Sequence, residues 1–282
     1  MNLKDIFFVI VLYKSSLEDS KTINSLESII GDGFNLYVFD NSPERQYENN
    51  NFEFKNFKIK YYHDGTNPGL STAYNCALEE CGKSNKKWVL LLDQDTTFTK
   101  EYIEEIESLD FNKIPDTVVA IIPRVVSLLD QRIIAPVKMF LGGICRPVEI
   151  VGGVVNTPIS GINSGTLLSV LFMNSINGFS NRYSLDMLDH WYFRKLFNDR
   201  KSVYIMDSRI YQELSVFGNF EENISFSRYK QMLNAEVFFI KEEGLLSLFV
   251  FKLRLIFRTL KQLKYKDSNY LKFTLRQILK YD

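Results

Sequence analysis

The first half of the chain alternates between apolar runs of strand length and segments with helical spacing. Continuous apolar runs at Phe7–Leu12, Trp88–Leu92 and Val118–Ile122 are typical of strands that are buried on both faces. Shorter runs at Leu36–Phe39 and Ile59–Tyr62 predict two further strands. Strands that alternate with helices indicate a parallel sheet covered by helices on both sides. We therefore expect an α/β fold.

The second half of the chain follows a different pattern. Residues 130–165 are rich in glycine and proline, which predicts hairpins and a mobile loop beside the site. Thr166–Phe172 has the pattern of a buried strand, Leu185–Phe197 that of a helix, and Val203–Met206 that of a short strand. From Gln231 onward helical spacing dominates, so we expect the chain to end in helices.

The charges balance over the whole chain but not along it. The sequence has 34 Lys and Arg and 34 Asp and Glu, yet residues 241–282 carry ten basic and four acidic side chains. The tail therefore has a net charge of +6 and residues 1–240 one of −6. An acidic body argues against nucleic-acid binding, which requires a basic surface. The three cysteines form no CxxC pair, which favours reduced thiols in the cytoplasm.

Polar clusters follow three of the predicted strands at the point where each strand ends. They are Asp40-Asn41, Asn67-Pro68-Gly69 and Asp93-Gln94-Asp95. In open parallel sheets, ligands bind beyond the carboxyl ends of the strands. We therefore expect these three clusters to meet in one binding site.

The pair Asp93 and Asp95 is the sharpest chemical signal in the sequence. Two carboxylates one residue apart, directly after a buried strand, are suited to hold Mg²⁺ or Mn²⁺. Without a cation the two groups would repel, and one would tend to stay protonated. The alternative is a solvated acidic turn.

A second acidic group lies in the segment LDMLDHWYFRKL. Asp186 and Asp189 are three residues apart, so in a continuous helix they would share one face. Two interpretations stay open at this point: a general base for catalysis, or an acidic first turn stabilised by the helix dipole. His190 is expected to have a structural role.

These segments together resemble the family 2 glycosyltransferases, which have the GT-A fold, and especially their bacterial rhamnosyltransferase-like members. The matching segments occur in the family's order over roughly residues 6–215: VIVLYKS, VFDNS, NPGLSTAYNCAL, WVLLLDQDT, INSGTLLS and LDMLDHWYFRKL. The resemblance implies a Rossmann-like, mixed and mostly parallel sheet flanked by helices, with a C-terminal helical extension. It divides the chain into a catalytic domain at 1–230 and basic amphipathic helices at 231–282. Within the catalytic domain, residues 1–125 would form the nucleotide-binding half and residues 126–230 the acceptor half.

The resemblance also implies roles on the donor side of the site. Asp40 matches the acid that contacts the nucleotide base, and Asn67 and Gly69 match the loop beside the nucleotide. Asp93 matches the first acid of the D-x-D motif, near the ribose and the metal. Asp95 matches the acid that holds Mg²⁺ or Mn²⁺ on the donor diphosphate.

On the acceptor side, the resemblance implies that Asp189 is the base of an inverting enzyme. The family often has an acid two residues after this Asp, where this chain has Trp191, so Asp186 stays open as an alternative base. Trp191, Tyr192 and Tyr183 are aromatic residues that either stack on acceptor sugars or pack in the core. The family's metal-binding His is also missing, and Tyr211-Gln212-Glu213 stands in that region, so Gln212 or water would complete the metal shell.

The implied reaction is the transfer of a sugar from a nucleoside diphosphate donor to a saccharide acceptor. The donor preference implied by the resemblance is L-rhamnose from dTDP-rhamnose, used in bacterial polysaccharide or O-antigen synthesis. Residues 245–282 mix apolar and basic side chains, a composition that suits an anionic membrane surface and hence a lipid-linked acceptor. They could equally pack on the catalytic domain or on another subunit of a homo-oligomer. We expect a cytoplasmic protein. If residues 245–282 bind a membrane surface, the protein would be peripheral on the inner face of the plasma membrane.

Two other functions fit part of the sequence. Haloacid-dehalogenase-like phosphatases also place D-x-D-x-T after an apolar strand, and Asp93 would then be the nucleophile. In those enzymes the motif lies on the first strand, whereas here three predicted strands precede it. The other alternative is an inactive protein that binds nucleotide sugars on the same fold.

Overall fold

A computed structural model of the chain describes residues 3–110, 113–149, 152–212 and 223–280. The chain folds into two compact units. One consists of Met1–Val137 and Pro147–Glu213, and the other of Lys138–Arg146 and Leu214–Asp282. The division after residue 213 differs from the boundary at 230 expected from the sequence, and the segment 138–146 joins the C-terminal helices.

The strands and helices of the described residues are numbered here in chain order. The strands are β1 (Ile6–Leu12), β2 (Phe34–Asp40), β3 (Asn51–Phe54), β4 (Phe57–His63), β5 (Trp88–Asp93), β6 (Val118–Val126), β7 (Ile133–Ala135), β8 (Val137–Phe140), β9 (Ile144–Pro147), β10 (Gly153–Val155), β11 (Leu167–Ser169) and β12 (Ser202–Tyr211). The helices are α1 (Lys21–Glu27), α2 (Leu70–Cys81), α3 (Lys100–Ser108), α4 (Val170–Ser175), α5 (Leu188–Asn198), α6 (Phe226–Glu242), α7 (Leu245–Gln262) and α8 (Asn269–Leu279).

The first unit is built on one mixed sheet with the order β10-β12-β6-β11-β5-β1-β2-β4-β3, and β7 pairs with β6. Strands β5, β1, β2 and β4 run parallel, as do β6 and β12. Between these two groups, β11 is antiparallel to both of its neighbours. Helix α2 packs on β1, β2 and β5, and α3 packs on β12. The predicted α/β fold, with a parallel central part and flanking helices, is confirmed.

The core of this unit lies in the central strands. Val9, Ile10, Leu90 and Leu92 are completely buried, as continuous apolar runs predict for strands covered on both faces. Because these strands are parallel and adjacent, the residues that follow β1, β2, β4 and β5 all emerge at the same edge of the sheet. This edge carries the three polar clusters.

Two elements differ from the sequence prediction. The expected strand over Thr166–Phe172 is β11 for three residues only, and α4 follows at once because Ser169 caps it by accepting a hydrogen bond from Phe172 N–H. The expected helix over Leu185–Phe197 begins only at Leu188, after Met187 adopts a left-handed backbone conformation. A short apolar run such as Thr166–Phe172 fits a strand or a buried helix equally well, so its pattern alone does not distinguish the two elements.

The second unit combines α6, α7 and α8 with the β8–β9 hairpin. The hairpin turn packs tightly on α7: Gly142 N–H donates to Ser247 Oγ at 2.9 Å, and Gly142 O accepts a bond from Arg254. A Cβ atom at Gly142 would lie 2.7 Å from Val250 Cγ1, so the contact requires glycine. The predicted C-terminal helical extension is confirmed. Of the helices that the structure describes, none has the length and the apolar content needed to cross a membrane.

Candidate active site

Asp93 and Asp95 lie at the carboxyl end of β5, the strand beside β1 in the sheet. Asp93 is its last residue, and its backbone N–H donates to Ser164 Oγ at 3.2 Å. The Ser164 hydroxyl in turn lies 2.7 Å from Thr96 Oγ1. These bonds fix the turn that carries both carboxylates.

Gln212 follows β12 and joins the two carboxylates. Its side-chain N–H group donates to Asp93 Oδ2 at 3.2 Å and to Asp95 Oδ1 at 3.0 Å. Its backbone N–H donates to Val126 O at 3.1 Å, and the residue is only 5% exposed. The side-chain oxygen of Gln212 is buried and has no hydrogen-bond partner. Glu213, the next residue, lies outside the described residues.

The burial of Asp93 and its closeness to Asp95 change the pKa of the Asp93 carboxyl. Removal from water, followed in size by the charge of nearby Asp95, raises the pKa of Asp93 from 3.8 to about 7. Asp189 adds a smaller effect in the same direction. Such a shift is the physical sign of acids gathered in a partly dry site, which is where functional groups concentrate.

The group suits a hard divalent cation. A cluster of three His, Cys, Asp or Glu was not found among the described residues. The nearest further oxygen donor that the structure describes beside the two carboxylates is the Gln212 amide. Turning the Gln212 amide by 180° would aim its unpartnered oxygen at the two carboxylates, since the two amide positions are interchangeable. Two carboxylates and one amide oxygen match the ligand preference of Mg²⁺ and Mn²⁺.

Asp189 lies in the first turn of α5 and is half-buried. Its Oδ1 accepts a hydrogen bond from His190 N–H at 2.7 Å. Its charge acts on both Asp93 and Tyr74. Tyr74 is buried on α2, and its hydroxyl donates to Asp93 Oδ1 at 3.4 Å. Desolvation, with smaller effects of Asp93 and Asp189, raises the Tyr74 pKa well above its usual value, so it stays a proton donor.

The other predicted residues of the α5 segment are placed differently. Asp186 precedes α5, so it does not share a helical face with Asp189 as the spacing suggested. Tyr192 and Tyr183 are each only 1% exposed, and the Tyr192 hydroxyl donates to Val119 O at 3.1 Å. The prediction that Tyr192 contacts the acceptor is therefore wrong, because the ring is part of the core. Trp191 is half-buried and stays a candidate acceptor contact.

Asp40 ends β2 and is completely buried. Its Oδ1 accepts from Ser42 N–H at 2.9 Å, and its Oδ2 accepts from the Tyr61 hydroxyl at 2.6 Å and from Gln46 Nε2 at 3.1 Å. The side-chain oxygen of Asn41 is buried without a hydrogen-bond partner. Of the three donors to Asp40, the Gln46 amide belongs to an exposed residue.

Asn67 and Gly69 form the loop that precedes α2. Both have positive φ angles, 52° and 95°. A Cβ atom at Gly69 would lie 2.4 Å from Ser184 O, and that carbonyl accepts the Leu70 N–H at 2.6 Å. Gly69 therefore lets the start of α2 touch the segment that leads to Asp189.

Sequence reasoning missed two contributors to the site, Tyr74 and Ser164. The signals were weak, because Tyr74 reads as an apolar helix residue and Ser164 lies in a glycine-rich loop. Only the fold brings either side chain to Asp93.

Comparison with known proteins agrees with the resemblance drawn from the sequence. Residues 8–131 match the model of glycosyl transferase family 2, so this stretch of the chain is similar to that family. A search of the curated proteins gave no match.

Solved structures with the same fold are GT-A glycosyltransferases. GalNAc-T7 with UDP, GalNAc and Mn²⁺ aligns over 96% of this chain and 54% of its own, with TM-score 0.58 and 10% identity. S. aureus TarS aligns over 96% and 55%, with TM-score 0.54 and 13% identity. Its fragment 1-349 with UDP-GlcNAc aligns over 98% and 93%, with TM-score 0.51 and 15% identity. The chain spans about half the length of the first two structures. These findings establish the GT-A fold and do not favour the phosphatase alternative.

Proposed function

We propose that the chain is an inverting, metal-dependent glycosyltransferase that moves a sugar from a nucleoside diphosphate to a hydroxyl group of a saccharide acceptor. The observation that carries this proposal is the joining of Asp93, Asp95 and Gln212 by hydrogen bonds at the end of β5, within electrostatic reach of Asp189. The family match over residues 8–131 and the GT-A fold support it.

Asp93, Asp95 and the side-chain oxygen of Gln212 would hold Mg²⁺ or Mn²⁺. When bound, the cation would neutralise charge on the diphosphate leaving group. The structure of GalNAc-T7 contains Mn²⁺ together with UDP, which supports a divalent cation on this fold.

Asp189 is the proposed general base. Its Oδ1 is occupied by the His190 N–H, which fixes the carboxylate and leaves Oδ2 for the acceptor hydroxyl. Asp189 would take the proton of that hydroxyl while its oxygen attacks the anomeric carbon from the face opposite the diphosphate. The diphosphate leaves as the new bond forms, so the configuration of the sugar is inverted. General bases typically contribute about 10²–10⁴-fold to a rate. Asp186 is the alternative base.

Asp40, Asn67 and Gly69 are the proposed nucleotide contacts. Uracil and thymine both carry an imide N–H, which the Oδ2 of Asp40 would accept in place of the Gln46 amide. The sequence resemblance favours dTDP-rhamnose as the donor, and the UDP-containing structures of the same fold share that imide. We propose residues 1–125 as the nucleotide half and 126–230 as the acceptor half of the catalytic domain.

The proposed acceptor is a lipid-linked saccharide of bacterial polysaccharide or O-antigen synthesis, and α7 is the proposed membrane contact. At about 100° per residue, eight exposed apolar side chains of α7 and its C-cap residue fall within an arc of about 120°. They are Leu245, Leu246, Phe249, Leu253, Ile256, Phe257, Leu260 and Leu263. We call this set the exposed apolar stripe.

The opposite side of α7 is the one that packs inside the second unit, through Phe251 and Leu255. Lys252 and Lys261 border the exposed apolar stripe on its two sides. An apolar stripe with basic borders complements an anionic phospholipid surface, where the apolar side chains enter the interface and the cations meet lipid phosphates. This arrangement supports a peripheral position on the inner face of the plasma membrane.

The experiment that tests the proposed function is a thermal-shift screen of dTDP-rhamnose and UDP-sugars with and without Mn²⁺. We expect at least one donor to raise the melting temperature only when Mn²⁺ is present, because binding to the folded state alone stabilises it. Incubation of that donor with a membrane extract should then release the nucleoside diphosphate. Phosphate release from a simple phosphomonoester, with no donor binding, would contradict the proposal and favour the phosphatase.

A further inference from the structure

A second charged group lies next to the candidate active site, on the strands β6 and β12. Arg124 and Arg209 are direct neighbours in the register of these two parallel strands. Adjacent strands lie about 5 Å apart, so the two arginine side chains leave the backbone side by side on the same face of the sheet. Both line a cavity of about 400 Å³, together with Arg132, Gln131 and Glu149.

Three arginines and one acidic residue, Glu149, line this cavity, so its lining is net positive. Arg132 is already paired, with its Nε 2.7 Å from Asp130 Oδ2. In the part of the chain that the structure describes, the side chains of Arg124 and Arg209 make no hydrogen bond or ion pair, and Arg124 Nε is buried without a partner. Like charges on directly opposed strand positions repel, and a buried donor without a partner is costly. An anion between the two groups would remove both penalties.

We propose that Arg124 and Arg209 bind a phosphate group of the acceptor substrate. Guanidinium groups match phosphate oxygens with paired hydrogen bonds, which makes two adjacent arginines a suitable phosphate site. The inference rests on the proposed function, in which the donor diphosphate belongs to Asp93 and Asp95. A second phosphate site then serves the other substrate.

The position of the cavity supports this assignment. Val126 lines it, and the carbonyl oxygen of Val126 accepts the backbone N–H of Gln212. The side chain of Gln212 bonds to Asp93 and Asp95. One hydrogen-bonded residue thus separates the arginine cavity from the carboxylates, so a phosphate bound here would hold the acceptor beside the donor.

Inorganic phosphate is the probe that tests the site. We would follow ³¹P line broadening and melting temperature during a phosphate titration at constant ionic strength, with and without saturating UDP and Mg²⁺. We expect phosphate to bind equally well in both conditions. Arg124→Gln and Arg209→Gln should each weaken binding about tenfold or more, whereas Arg200→Gln, at an exposed arginine of the same unit, should leave it unchanged.

The results separate this proposal from the proposed function. Phosphate binding that UDP abolishes, or that both glutamine variants retain, would overturn the arginine site. Failure of both UDP and dTDP to bind in the presence of Mg²⁺ would instead overturn the proposed function, and the arm without nucleotide would still test the arginines. If a glutamine variant fails to fold, Arg124→Lys keeps the charge but loses the paired bonds. It should still weaken phosphate binding relative to the wild type, and unchanged binding in Arg124→Lys would count against the site.

Discussion

Gln212 Nε2 lies 3.0 Å from Asp95 Oδ1, although 117 positions separate the two residues in the sequence. The same nitrogen also donates to Asp93, so one amide group joins the two acids. The contact depends on the pairing of β12 with β6, which places Gln212, the residue after β12, next to the turn that follows β5. It makes Gln212 the residue whose substitution most directly tests the metal site.

Gln212→Ala should weaken Mn²⁺ binding by about tenfold or more, because supporting residues of metal sites typically change affinity about 10–100-fold. Gln212→Glu should strengthen Mn²⁺ binding by adding a third carboxylate. Titration calorimetry with Mn²⁺ alone measures both effects. Gln231→Ala, at an exposed glutamine of α6, is the control. Equal affinity in wild type and Gln212→Ala would remove Gln212 from the metal shell.

Asp93 should make the stability of the metal-free protein depend on pH. A carboxyl whose pKa rises from 3.8 to about 7 on folding binds its proton more tightly in the folded state. The free energy of unfolding should therefore fall as the pH rises between these values, by on the order of 4 kcal/mol. Asp93→Asn should lose this component. Urea unfolding in EDTA at pH 5 and pH 8 measures the difference, and an identical pH dependence in both proteins would contradict the shift.

The same titration should control metal binding in the opposite sense. Because a cation requires the ionised carboxylate, Mn²⁺ affinity of the wild type should rise as the pH increases toward and past about 7.

Asp189→Asn should reduce kcat by about 10²–10⁴-fold while the dissociation constant of the donor stays unchanged. The variant keeps the shape of the side chain and the bond from His190 N–H but loses the basic oxygen. Asp186→Asn is the matched comparison, since it removes a charge just before α5. Initial rates and donor titrations are the measurements. A large loss in Asp186→Asn with near-normal turnover in Asp189→Asn would transfer the base role to Asp186.

Gly69→Ala should destabilise the protein by about 3 kcal/mol and lower turnover. The new Cβ would meet Ser184 O at 2.4 Å and would also occupy a φ of 95°. Gly33→Ala is the control, because its φ is 82° but no atom lies within 4 Å of the new Cβ. It should cost only about 1 kcal/mol, the conformational part. Similar urea midpoints for the two variants would show that the Ser184 contact is unimportant.

Phe249→Glu and Phe257→Glu should abolish binding to vesicles that contain anionic phosphatidylglycerol. Both side chains lie in the exposed apolar stripe, at 60% and 68% exposure. Leu171→Glu makes a comparable change at an isolated leucine that is 81% exposed in the other unit, and it should sediment with vesicles like the wild type. Retained vesicle binding in both Phe variants, or a switch from dimer to monomer without vesicles, would favour a subunit interface instead.

The sequence was a good guide to the central strands and to the location of the acids. Runs such as Phe7–Leu12 and Trp88–Leu92 are apolar because both faces of the strand are covered, and burial leaves a direct trace in sequence. Asp40 and Asp93 follow such runs directly, so their place at the sheet edge was predictable.

The contacts between distant segments were not predictable in the same way. The bonds of Tyr74 and Ser164 with Asp93 depend on α2 and the glycine-rich loop folding over β5, which local patterns do not encode. Tyr192 illustrates the reverse case: an aromatic residue near a candidate base suggested a sugar contact, but its neighbours in space are Phe172 and Phe193.

Strand β11 has a consequence for engineering this protein. In the described sheet it is the strand that pairs with both the β5-β1-β2-β4 group and the β6-β12 group, beside one isolated bridge between Thr97 and Tyr211. Hybrid enzymes joined between β5 and β6 would therefore exchange one group of strands without breaking the ladder of the other. Such a library would show whether donor choice and acceptor choice can be recombined separately.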